Sequence, residues 1–132
     1  MSVTRHQIRE MAFQILFALN SNPDTDVQTI VDSLLSENHI SQEPTYFKSL
    51  IEGVVTHQSV LDELISSKLT SKWNFSRLNK TDLIILRLSL YEIKFENDIP
   101  NKVALNEALQ LAKEFSGEKD RIFINGILSN FI

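Results

Sequence analysis

The chain contains no cysteine, which excludes disulfides, thiolate nucleophiles and cysteine-ligated zinc together. Glycine and proline are nearly as scarce, three of each in 132 residues, too few to punctuate an all-β or alternating α/β chain. The glycines at 53, 117 and 126 are isolated, so no glycine-rich loop exists to cradle a phosphate. No apolar run approaches the roughly 18 residues that a membrane span needs, and the N-terminus lacks the basic start, apolar middle and small-residue cleavage site of a signal peptide. A cytosolic protein with no membrane partner is expected. The histidines at 6, 39 and 57 are far apart and show no i, i+4 pairing, so no metal site is expected and solvated or satisfied histidines are the better reading. Asn22, Asp24 and Asp26 alternate like the start of a calcium loop, but Val27 stands where such a loop needs glycine and Ser33 where it needs glutamate. They read as a turn and a helix cap. Nothing places a nucleophile beside its base, so neither an enzyme nor a cofactor is expected.

What is present is charge, apolar content and helical spacing. At 42% apolar and 23% charged residues the chain has globular composition, and its length suits one domain better than two. The net charge of −4 is unevenly spread: +1 over residues 1–19, −7 over 20–67, +4 over 68–94 and −2 over 95–132. The acidic block, from Asp24 to Glu63, is either a solvated face or one that repels phosphate, and the basic groups lie elsewhere.

The first helix is expected from Thr4, which has capping-box spacing with Gln7, to just before Asn20. Its stripe is Ile8, Met11, Ala12, Ile15, Leu16 and Leu19. Phe13 and Phe17 fall beside that stripe, one turn apart, either as a widened core contact or as an exposed docking patch. Asp26 caps a second helix (Val27, Ile30, Val31, Leu34 and Leu35 inward) that ends at Asn38 and His39. Pro44 opens a third with Phe47, Leu50, Ile51, Val54 and Val55 inward, and Gly53 there implies a close helix crossing, since glycine costs about 1 kcal/mol against alanine in a helix. A fourth, from Ser59, buries Val60, Leu61, Leu64 and Ile65, and Trp73 and Phe75 plug the following bend.

The stretch from Asn79 to Ile93 is apolar on nearly every side and so must be enclosed by other helices. Asn79 caps it, and Asp82 in its first turn suits the helix dipole. Arg87 must pair with a carboxylate or reach a surface groove. Pro100 opens a sixth helix (Val103, Ala104, Ala108, Leu111, Ala112 and Phe115 inward) ending at Gly117 in a left-handed cap. Asp120 caps a seventh, with Ile124, Ile127, Leu128 and Phe131 inward and Gly126 permitting close approach. The fold expected is all-α: about seven helices around a central buried one, in a single domain, 1–132, of two packed subdomains at roughly 1–78 and 79–132.

Three segments, REMAFQILF (Arg9 to Phe17), ILRLSLYEI (Ile85 to Ile93) and IPNKVALNEALQLAKEF followed by FINGIL (Ile99 to Leu128), resemble the NusB family of bacterial transcription antitermination factors. Leu105 replaces the family's usual isoleucine, and the similarity spans essentially the whole chain. The resemblance implies two packed helical subdomains that bind the boxA element of ribosomal RNA leaders and pair with NusE, a small-subunit ribosomal protein. The family's task is to help assemble an antitermination complex on RNA polymerase. Its Arg-rich N-terminus matches Arg5 and Arg9, with His6 between them.

The residues accommodate this reading. Arg5, His6 and Arg9 lie within about one turn, where their donors can converge on phosphates. Phe123 sits just off its helix's inward stripe and is either core or a base-stacking platform, with Lys113, Lys119 and Arg121 near it to complete a basic patch. Arg87, if not ion-paired, is a further anion-facing candidate, while Asn106 and Asn125 are read as helix-to-helix hydrogen bonds. For the partner, Phe13 and Phe17 supply an apolar patch and Asp82 an acidic anchor, in the general region where the resemblance suggests NusE docks. Two other readings stand: a purely protein-binding helical adaptor, and a NusB-like RNA-binding domain of the kind found in ribosomal-RNA cytosine methyltransferases. A chain that stops at Ile132 without a nucleotide-cofactor domain is not expected to be the methyltransferase itself.

Overall fold

The computed structural model describes residues 3–70 and 75–132, so Trp73 lies outside the described residues. Among them the chain forms seven α-helices and no strand: α1 (Arg5–Ser21), α2 (Val27–Glu37), α3 (Thr45–Thr56), α4 (Gln58–Ser66), α5 (Lys80–Phe95), α6 (Asn101–Phe115) and α7 (Glu118–Leu128). Short 3-10 turns cover Phe75–Arg77 and Ser129–Phe131. The backbone groups into two compact units, residues 1–52 and 53–132, dividing within α3 and not near Leu78. The reason is long-range: α4 packs against α5 and so falls in the second unit.

In the first unit the local signals act as read. Thr4 closes a reciprocal capping box, its hydroxyl accepting from the Gln7 N–H at 3.0 Å while its own N–H donates to Gln7 Oε1 at 2.9 Å. α1 packs on α2 and buries Ile8, Met11, Ala12, Ile15 and Leu16. Asn22 accepts the Asp24 N–H at 3.1 Å and Asp26 caps α2, the turn and cap expected of that alternating run. α2 stops as His39 enters the left-handed region at φ 58°.

In the second unit α5 is the enclosed post, buried without a break from Asp82 to Glu92, with α4, α6 and α7 packed on it. Asn79 caps it, accepting the Asp82 N–H at 2.7 Å. Arg87 and Asp62 lock α4 to α5 through a two-point ion pair, Nε to Oδ1 at 2.8 Å and Nη2 to Oδ2 at 2.9 Å. Among the described residues no buried side-chain nitrogen or oxygen lacks a hydrogen-bond partner. Gly53 makes room for a side chain of α5: a Cβ there would collide with the Tyr91 ring.

Several inward assignments fail at the margin of a stripe. Val55, Val60, Val103 and Phe115 are 51%, 46%, 42% and 37% exposed, because a residue one position from the centre of a helical face is turned about 100° from it. Gly117 is no left-handed cap. Its φ of −161° is ordinary extended backbone, and it occupies the N-cap of α7, which displaces Asp120 into the first turn. Among the described residues nothing lies within 4 Å of where a Cβ on Gly126 would stand, so none of them makes the close approach expected there.

Candidate nucleic-acid interface

The proposed basic groups of α1 do not all reach solvent. Arg5 is exposed, its guanidinium 4.4 Å from the centre of the Tyr46 ring, a cation–π contact that α1 alone could not reveal. His6 is half-buried, with Nε2 3.7 Å from Glu10. Arg9 is only 2% exposed and engaged within the protein. It offers no surface to a phosphate, and the sequence-based convergence of three donors reduces to Arg5 with His6. Phe13 is buried as well, its ring centre 6.0 Å from that of half-buried Phe17. The aromatic pair is therefore a core contact with one partly open member.

Arg87 is likewise withdrawn from the surface; Asp62, 25 residues earlier, holds it inside the second unit. The alternative of an ion pair is the one realised.

The remaining candidates of the second unit gather where the first turns of α5 and α7 meet. Asp82 is 4% exposed and hydrogen-bonded to Asp120, and the Ser116 hydroxyl donates to Asp82 Oδ1 at 3.4 Å. Asn79, besides capping α5, donates from Nδ2 to Asp120 Oδ1 at 3.1 Å. Burial, then the hydrogen bond and charge of Asp120, push the Asp82 carboxyl up to about 7, against the smaller opposing effects of Ser116 and Asn79. Asp120 moves the other way, held low first by its hydrogen bond from Asp82. Asp82 thus keeps the proton and Asp120 the charge. The first is no exposed anchor for a partner, because the start of α7 and the end of α6 close over it.

Above this network lies a cavity of about 330 Å³, bordered by Arg77, Asn79, Asp82, Lys119, Asp120 and Phe123. Phe123 is half-buried and also borders a second depression of about 320 Å³, with Lys68, Leu69, Ile122, Gly126 and Ile127. Lys113 and Lys119 are exposed. Arg121 is tied to Glu118 by two bonds, Nε to Oε2 at 2.9 Å and Nη2 to Oε1 at 2.6 Å, which partly neutralise its charge. That pair raises the Arg121 pKa and lowers that of Glu118, to which Lys113 also contributes. The arrangement can hold a flat apolar group against Phe123 with an anion at the Arg77 and Lys119 rim. Arg77 and Lys68 escaped the sequence reading because they lie in separate turns, 42 or more residues before Lys119. Among the described residues no helix is long and apolar enough to cross a membrane.

Comparison with known proteins bears on the family and the fold. The model of the NusB family matches residues 6–132. The transcription antitermination protein NusB of Ligilactobacillus salivarius is 50% identical over 132 residues, covering 100% of both chains. The crystal form of T. maritima NusB superposes with a TM-score of 0.83 at 34% identity, over 99% of this chain and 92% of that one. A structure of the antitermination factors NusB and NusE in complex with double-stranded RNA shares the fold, with a TM-score of 0.82 at 24% identity over 96% of this chain and 94% of that one. A family model spanning nearly the full length, a full-length relative at this identity and the same all-helical fold lead to one conclusion: the chain belongs to the NusB family.

Proposed function

We propose that this chain is a transcription antitermination factor that binds boxA-type single-stranded RNA of ribosomal RNA leaders together with NusE, as part of an antitermination complex on RNA polymerase in the cytoplasm. The observation that carries the proposal is the full-length, 50% identical relative named as a transcription antitermination protein. The surface chemistry supports it. Arg5 and His6 in the first unit, and Lys113, Lys119, Arg121 and Phe123 in the second, supply the cations and the ring that a single strand requires. Arg9 and Arg87 are left with structural roles, and Phe17 is the open member of the aromatic pair offered to NusE.

A fluorescence-anisotropy titration tests this, using labelled boxA-type RNA and a scrambled strand at one fixed salt concentration, with and without NusE. Preference for the boxA strand, strengthened by NusE, is expected. Equal binding of both strands, unchanged by a NusE that still binds the protein, would leave the protein-binding adaptor in its place.

A further inference from the structure

Arg5 stands where a helix least favours a cation. It is the first residue of α1, at the positive end of the helix dipole, and the first turn of α1 contains no acidic residue to offset it. The backbone there is nonetheless firmly set, one residue after the reciprocal capping box of Thr4 and Gln7. A charge placed against the dipole, on a rigid turn, calls for a reason outside the helix.

What holds its side chain is Tyr46. The guanidinium carbon lies over that ring, 4.4 Å from its centre. Tyr46 belongs to the first turn of α3, next to fully buried Phe47, so the ring too is carried by a fixed piece of backbone. The other arginines already described are held differently: Arg87 by Asp62 and Arg121 by Glu118, through two hydrogen bonds each, and Arg9 inside the protein. An ion pair draws on both the N–H edge and the charge of a guanidinium. A ring beneath its flat face draws on neither, since the attraction is to the electron-rich face of that ring.

We infer that Tyr46 is a positioning residue for RNA binding: its ring holds the Arg5 guanidinium in the orientation in which the N–H edge meets a phosphate of the bound strand. The inference rests on the RNA-binding reading above and adds to it a residue that acts through Arg5 and not on the nucleotide. An unheld arginine samples many rotamers, and ordering such a side chain on binding weakens association. The Tyr46 ring does that ordering before the RNA arrives. It acts through the face of the ring and not through the hydroxyl, so phenylalanine serves equally at position 46.

The test is a double-mutant cycle read both as affinity and as salt dependence, with boxA-type RNA and NusE. Tyr46→Leu should lose about fivefold in affinity with the salt slope unchanged, because Arg5 keeps its charge. Arg5→Ala should lose more and flatten the slope by about 0.7. The double variant should bind as Arg5→Ala does, and Tyr46→Phe as the wild type. Circular dichroism checks that each variant is folded; should Tyr46→Leu not fold, pentafluorophenylalanine at position 46 takes its place in the cycle, since it keeps the shape of the ring and reverses the charge on its face. Wild-type affinity in Tyr46→Leu, losses that multiply in the double variant, a loss in Tyr46→Phe as large as in Tyr46→Leu, or an Arg5→Ala protein with wild-type affinity and slope each overturns the positioning role and leaves RNA binding standing. A wild-type protein that binds no RNA even with NusE overturns both.

Discussion

Asp82 shows how one side chain reports on its surroundings. An aspartate in an unfolded chain releases its proton near pH 4, whereas in the fold burial and the neighbouring Asp120 hold the Asp82 proton to about 7. Between those values the folded state binds the extra proton, so stability is greatest at the acid end of the window, falls as pH rises through it, and levels off above about 7. Asp120, with its pKa lowered, acts in the opposite sense and weakens the fold only below the usual carboxylate range. Asp82→Asn keeps a neutral donor of the same shape toward Asp120 and removes the titration. Denaturant unfolding of both proteins at pH 5 and pH 8 should show the variant gaining on the wild type at pH 8 by a few kcal/mol at most, since a tenfold change in proton affinity is worth about 1.4 kcal/mol. A difference between the two proteins that does not change with pH would mean that Asp82 is ionised throughout.

At the scale of elements, two side-chain arrangements fix how helices of the second unit meet α5. One is the close approach of Tyr91 to Gly53. An added methyl would have to move Tyr91, which is buried, donates to Glu96 at 3.1 Å and lies 5.5 Å from Phe95, ring centre to ring centre. Overpacking of that kind costs about 1–3 kcal/mol, enough to cancel the gain in helix propensity of about 1 kcal/mol. The other is the pair of Arg87 and Asp62 between α5 and α4. Asp62→Ala would leave the guanidinium enclosed without its principal carboxylate, a loss expected at about 3 kcal/mol. Replacing both, as Arg87→Met with Asp62→Leu, should restore most of it. Chemical denaturation measures both, and RNA affinity of the folded double variant should match the wild type. An affinity loss there would return Arg87 to the nucleic-acid surface.

For the whole molecule, the segregation of charge matters more than its sum. The acidic stretch from 20 to 67 disfavours phosphate and favours a basic protein, so RNA and partner need not compete for one surface. Phe17 belongs to the proposed partner contact. Phe17→Asp places a charge in any interface that forms over it, at a cost of several kcal/mol. Complex formation with NusE should be lost, while the free protein keeps its circular dichroism and its own RNA affinity. Linkage then requires that the enhancement of RNA binding by NusE vanish with it. Calorimetry showing NusE bound to this variant with wild-type affinity would move the docking surface elsewhere.

The sequence by itself determined the helices and most of their ends: the capping box at Thr4, the caps at Asp26 and Asn79, the stripes of α1 and α2, and the enclosure of α5. These depend on neighbours three or four positions away, which are written side by side in the chain. It also foresaw that Gly53 marks a close approach, met by the Tyr91 ring, though not that Gly126 has no such neighbour among the described residues. Only the tertiary structure decided that Arg9, Phe13 and Asp82 are buried, that Arg87 answers to Asp62, and that Asn79 reaches Asp120 across 41 residues. A charged or aromatic residue at the edge of a stripe has the same local pattern whether it faces a neighbouring helix or water. What separates the two is the identity of the helix packed against it, and that is settled by contacts between residues far apart in the chain.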